Sequence, residues 1–128
     1  MNAETLLLRQ IHPHFYQAGR VTSQAFRPTP KDEFYLSVDN GDRIQARAAW
    51  ERFIRNPLCA SIGVAAVSLM ECQEQTLPVI EDGDPYPEHC SINFSDLEKK
   101  DIERKAKILA RQAQDRGWLF LADAGQSL

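Results

Sequence analysis

Cysteine is scarce: Cys59, Cys72 and Cys90 are an odd number with no CxxC spacing. That argues against a disulfide framework and a cysteine-paired zinc site, so reduced and mostly buried thiols are expected. Long apolar runs are also missing. None approaches the roughly 20 residues that cross a bilayer, and the opening MNAETLLLRQ has an acid where a signal peptide carries basic residues. The expectation is a cytoplasmic protein. Neither sign of charge is in large excess. A formal net charge of -3 gives no general attraction to nucleic acid or anionic lipid, so a polyanion would need a local basic patch. There is no internal repeat, no GxSxG elbow, no Walker loop, no GxGxxG and no HExxH. No cofactor and no metal are therefore expected.

What is present is an ordinary globular balance, 43% hydrophobic and 26% charged over 128 residues. A chain of this size forms one domain, 1–128, burying roughly two thirds of the surface its unfolded form exposes. The small, polar tail ADAGQSL (122–128) is expected to fray.

Periodicity maps the elements. Thr5 to Ile11 and Phe34 to Val38 read as strands, followed by Asn40-Gly41, a turn pair that tolerates positive φ. In IQARAAWERFI, the residues Ile44, Ala48, Ala49 and Phe53 fall at helical spacing, with Asp42 as expected N-cap and Asn56-Pro57 as the stop. Ser61 to Cys72 reads as one long, largely buried strand. Thr76 to Ile80 bridges to the loop EDGDPYPE, and His89 to Phe94 alternates, with Cys90, Ile92 and Phe94 on one face. The clearest element is SDLEKKDIERKAKILARQAQDRG. Ser95 and Glu98 form an expected capping box, Ile102, Ala106, Leu109 and Ala113 an apolar stripe, and Gly117 the stop. WLFL returns as a strand.

From Phe34 the order is strand, helix, strand, strand, helix, strand. It predicts an α+β fold: a two-layer sandwich with a mixed or antiparallel sheet of about five strands and two main helices on one face, as in ferredoxin-like topologies. The first strand is expected at an edge.

The densest polar segment lies between the first two strands. Residues 12–33 form a long loop, and Phe15, Tyr16, Val21 and Phe26 give it apolar anchors, so it is expected to be ordered and functional. Arg20, Thr22, Ser23, Arg27 and Lys31, with Ser37 on the next strand, offer cations and hydroxyls to a phosphate or carboxylate. The competing reading pairs Arg20 and Arg27 with Asp32 and Glu33. His12 and His14 could share a metal in extended backbone, but two ligands are too few. For acid/base work the candidates are His12, Glu71 and His89. Glu81, Asp82, Asp84 and Glu88 around Gly83 lack the alternation of an EF-hand loop and read as a solvated turn. Lys100, Arg104, Lys107 and Arg111 make a basic ridge on the last long helix, interleaved with acids.

The runs GRVTSQAFRPTPKDEFYLSVDNGD and LPVIEDGDP resemble segments of small bacterial proteins of uncharacterised function, which implies no activity. A fainter similarity is to ADP-ribosyl-transferring folds, where a basic residue and a YxS-like strand frame a nicotinamide site. That resemblance implies roles for His12 or Arg20, for Tyr35-Leu36-Ser37, and for Glu71 or Glu74. Two function classes follow. One is a non-catalytic bacterial binding or accessory module that contacts another protein or a small anion, not a membrane, through the Arg20 to Lys31 loop. The other is a small enzyme acting on a nucleotide or other phosphate-bearing substrate, with His12 or Glu71 as acid/base.

Overall fold

A computed structural model of the chain describes residues 1–122. The tail expected to fray lies, from residue 123 onward, outside the described residues. The first apolar run forms β1 (Leu6–Ile11). A connector follows, with a 3-10 turn (Pro13–Phe15), a hairpin of β2 (Tyr16–Gln17) and β3 (Arg20–Val21), and 3-10 turns at Ser23–Phe26 and Pro30–Asp32. Beyond it come β4 (Tyr35–Asn40), α1 (Ala46–Ile54), β5 (Gly63–Ser68), α2 (Leu69–Glu74), β6 (Val79–Ile80), β7 (His89–Asn93), α3 (Lys99–Arg116) and β8 (Phe120–Leu121).

The class is α+β, as expected. Six strands form one sheet in the order β6-β7-β4-β1-β5-β8, and every neighbouring pair is antiparallel. Two expectations about the layers are corrected. β1, expected at an edge, lies inside the sheet between β4 and β5. The two main helices, expected on one face, lie on opposite faces. α3 packs with Leu7, Ile11, Val38, Ala65 and Val67, whereas Ala49 and Trp50 of α1 pack with Leu8, Val64 and Ala66. Successive strand residues point to opposite faces, so Leu7 beside Leu8, and the wholly buried β5, need cover on both sides.

Local chemistry corrects three boundaries. The long strand expected to Cys72 ends at Ser68. There the Ser68 hydroxyl accepts from the Glu71 amide at 3.1 Å and the Glu71 carboxylate accepts from the Ser68 amide at 2.7 Å. This capping box turns the chain into α2. The box expected at Ser95 does not form: Glu98 is the N-cap of α3, and the Ser95 amide donates to Asn93 Oδ1. Asp42, expected to cap α1, instead accepts from Thr5 Oγ1 at 2.5 Å, and Gln45 takes the cap position. Gly41 is needed for close approach, since a Cβ there would meet the Leu6 carbonyl oxygen at 2.6 Å. The expected stripe Ile102, Ala106, Leu109 and Ala113 is buried, and Gly117 closes α3 at φ +88°.

Candidate functional site

The connector is held in place by core contacts. Ala25 and Phe26 are fully buried against the α3 side of the sheet. Beneath them, Arg9 Nε donates to the Ala25 carbonyl at 2.8 Å and Arg9 Nη1 to the Ser37 carbonyl at 3.0 Å. Burial lowers the Arg9 pKa to about 10, so the guanidinium stays charged at neutral pH. Gln114 of α3 ties down the hairpin by accepting from the Val21 amide at 2.8 Å. Thr22 Oγ1 donates to the Phe15 carbonyl at 3.0 Å.

This anchoring sets the connector against α3 and leaves a groove of about 850 Å³ between them. Arg20 and Ser23 line it from the connector, Lys107 and Arg111 from α3, and Asp115 is its one carboxylate among the described residues. Arg20, Lys107 and Arg111 are exposed, and none of them is in an ion pair among the described residues. The rest of the basic ridge is not equivalent, because Arg104 is paired with Asp101 at 3.3 Å. Three unpaired cations and a hydroxyl around one concavity can neutralise and hydrogen-bond a phosphate-bearing group.

The other expected anion-binding residues are placed elsewhere. Thr22 spends its hydroxyl on the backbone. Arg27 and Lys31 are exposed but do not line the groove, and neither pairs with Asp32 or Glu33 among the described residues. Ser37 is on the opposite face of the sheet, where it lines a second cavity.

That cavity, a cleft of about 530 Å³, lies between α1 and the outward side of β4 and β7. Register places Asp39 across from His89 and Ser37 across from Ser91. Arg52 of α1 is fixed three ways: Nη2 donates to Asp39 Oδ1 at 3.0 Å, Nη1 donates to Glu88, and its guanidinium carbon lies 3.8 Å from the centre of the Tyr86 ring. Burial pushes the Asp39 pKa up, against the pull of Arg52 and His89. For Glu88, the Arg52 hydrogen bond holds the carboxyl below its ordinary range. Behind His89, Asp82 on the loop before β7 accepts from Ser91 Oγ at 2.6 Å and contacts His89 Nδ1 at 2.5 Å. Burial opposes ionisation of Asp82, but the bonds from Ser91 and His89 together lower its pKa. In the neutral ring, a His–Asp contact of this kind places the proton on Nδ1 and leaves Nε2 as an acceptor.

His12 also lines this cleft, its Nδ1 accepting from the His14 amide at 3.0 Å. Glu71 does not. It is held by the capping box and by Arg116 Nη1 at 2.8 Å, which together hold its carboxyl low against burial. The residues implied by the ADP-ribosyl-transferring resemblance are thus spread out: His12 and Ser37 in the cleft, Arg20 in the groove, Glu71 and Glu74 on α2. No group of three metal-ligating side chains occurs among the described residues, and no helix there is long and apolar enough to cross a membrane.

The cleft residues Asp39, Arg52 and Tyr86 carry no motif in the sequence. Only the β4–β7 pairing and the crossing of α1 over it bring residues 39, 52 and 82–89 together. Lys107 and Arg111 were visible as a ridge, but their convergence on Arg20 was not. No protein-family model, no curated protein and no solved structure matches this chain.

Proposed function

We propose that the protein is a binding module whose connector–α3 groove takes a phosphate-bearing anion, either free or displayed on a partner protein. The observation that carries this reading is the convergence of Arg20, Lys107 and Arg111, exposed and unpaired among the described residues, with Ser23 at the same groove. Their charges are screened by salt, so affinity falls as ionic strength rises.

The test is thermal denaturation with pyrophosphate, which is long enough to touch more than one cation. Ligand at a hundredfold excess over its Kd adds about 2.7 kcal/mol of stability, a shift easily read as a rise in Tm. Arg20→Ala and Arg111→Ala each weaken binding about tenfold, with stability changed by no more than about 0.5 kcal/mol, as for other exposed sites. Absence of any shift, or an undiminished shift in both variants, refutes the reading.

A further inference from the structure

We propose that the cleft over β4 and β7 is a second ligand site, for a small molecule carrying a protonated amine on an apolar body. It lies on the opposite face of the sheet from the groove and stands or falls separately from it. Its volume of about 530 Å³ is that of an ordinary small-molecule pocket. Leu8, Phe15, Phe53, Leu58 and Pro85 supply apolar wall, and Leu58 stands at the rim 92% exposed.

Several acceptors on the cleft wall stand open. Asp39 commits one carboxylate oxygen to Arg52, and the other has no partner among the described residues. His89 commits Nδ1 to Asp82 and keeps Nε2. Ser37 Oγ is unbonded among the described residues, two positions along β4 from Asp39 and on the same face. Gln10, also lining the cleft, has a buried Oε1 that lacks a donor among the described residues, an acceptor that proteins normally satisfy.

The engagement of the cations points the same way. Among the described residues two guanidinium groups line the cleft: Arg9 is committed to the Ala25 and Ser37 carbonyls, and Arg52 sits between Asp39 and Glu88. Arg52 is engaged by both carboxylates and by the Tyr86 ring, so it has little left for an anion. An ammonium group meets open acceptors, whereas a carboxylate meets guanidinium groups that are already engaged.

The experiment is an NMR titration of the full chain with benzylamine, benzyl alcohol and benzoate, which share a ring and differ in the head group. At about 10 mM, a concentration suited to fragments of this size, benzylamine shifts the resonances of Ser37, Tyr86 and His89 and leaves those of Arg20 and Arg111 in place. Benzyl alcohol and benzoate bind at least about tenfold more weakly, the ratio expected for loss of one charge-assisted hydrogen bond. Asp39→Asn lowers benzylamine affinity by a similar factor. Should that variant fail to fold, the three ligands on the unaltered protein decide the matter. No shift with benzylamine, shifts confined to the groove, or equal binding of benzoate at the same residues overturns the proposal.

Discussion

Replacing Phe26 with alanine tests whether the connector is part of the core or lies loosely over it. The ring is fully buried in the cluster that includes Leu7, Leu36, Ile92 and Leu109, on a segment whose backbone is otherwise tied down by Arg9 and Gln114. Truncating a buried phenylalanine costs about 3–5 kcal/mol, combining lost transfer energy with the cavity left behind. A domain of this size has about 5–15 kcal/mol in hand, so Phe26→Ala folds but marginally, with Tm lowered by roughly 10–20 °C. Urea denaturation gives the free energy directly. Hydrogen exchange locates the damage: protection falls most at the Val21, Ala25 and Arg27 amides, each bonded within the connector or to α3, and least in β1 and β5. Arg27→Ala, one residue away and exposed, is the control and changes stability by no more than about 0.5 kcal/mol. A Phe26→Ala cost below about 1 kcal/mol, or uniform loss of protection, would refute the claim that this ring orders the connector.

Four further outcomes are expected. Glu71→Ala removes one half of the Ser68–Glu71 box and the Arg116 partner, costing about 1–2 kcal/mol at neutral pH by chemical denaturation. Because the folded Glu71 pKa lies below its ordinary 4.5, its stabilisation is present above that pH and disappears as pH falls through the folded value; Glu71→Gln should therefore show a shallower acid limb, and an unchanged limb contradicts the assignment. Burial raises the Cys72 and Cys90 thiols to about 12 and about 11, so iodoacetamide at neutral pH modifies the half-buried Cys59 first, and mass spectrometry finds the other two labelled only after unfolding. Ala18 has φ +53° beside Gly19 at +77° in the β2–β3 turn, and Ala18→Asn, which restores the Asn-Gly pair that such turns favour, raises stability by about 1 kcal/mol; a fall in Tm contradicts this account of the turn.

The sequence by itself determined the elements whose signal is local. The α3 stripe, its closing Gly117, the alternation of Cys90, Ile92 and Phe94, and the apolar anchors of the connector all follow from periodicity and backbone chemistry within a few residues. It misplaced features where two local signals compete. Ser68-x-x-Glu71 and Ser95-x-x-Glu98 have the same spacing, but only the first caps a helix, because β5 delivers Ser68 to the end of the sheet. Tertiary structure alone decided the layers and the sites. Nothing near β1 in sequence says that it pairs with β4 on one side and β5 on the other, since strand partners are chosen by burying two faces at once. That choice puts α1 and α3 on opposite sides of the sheet. It thereby separates Arg20 from Ser37, two candidates for one anion site, and assembles Asp39, Arg52, Tyr86 and His89 into a cleft from segments up to fifty residues apart. Charge and hydrogen-bonding capacity are written in the residues, but which groups face each other depends on long-range pairing that no local pattern encodes.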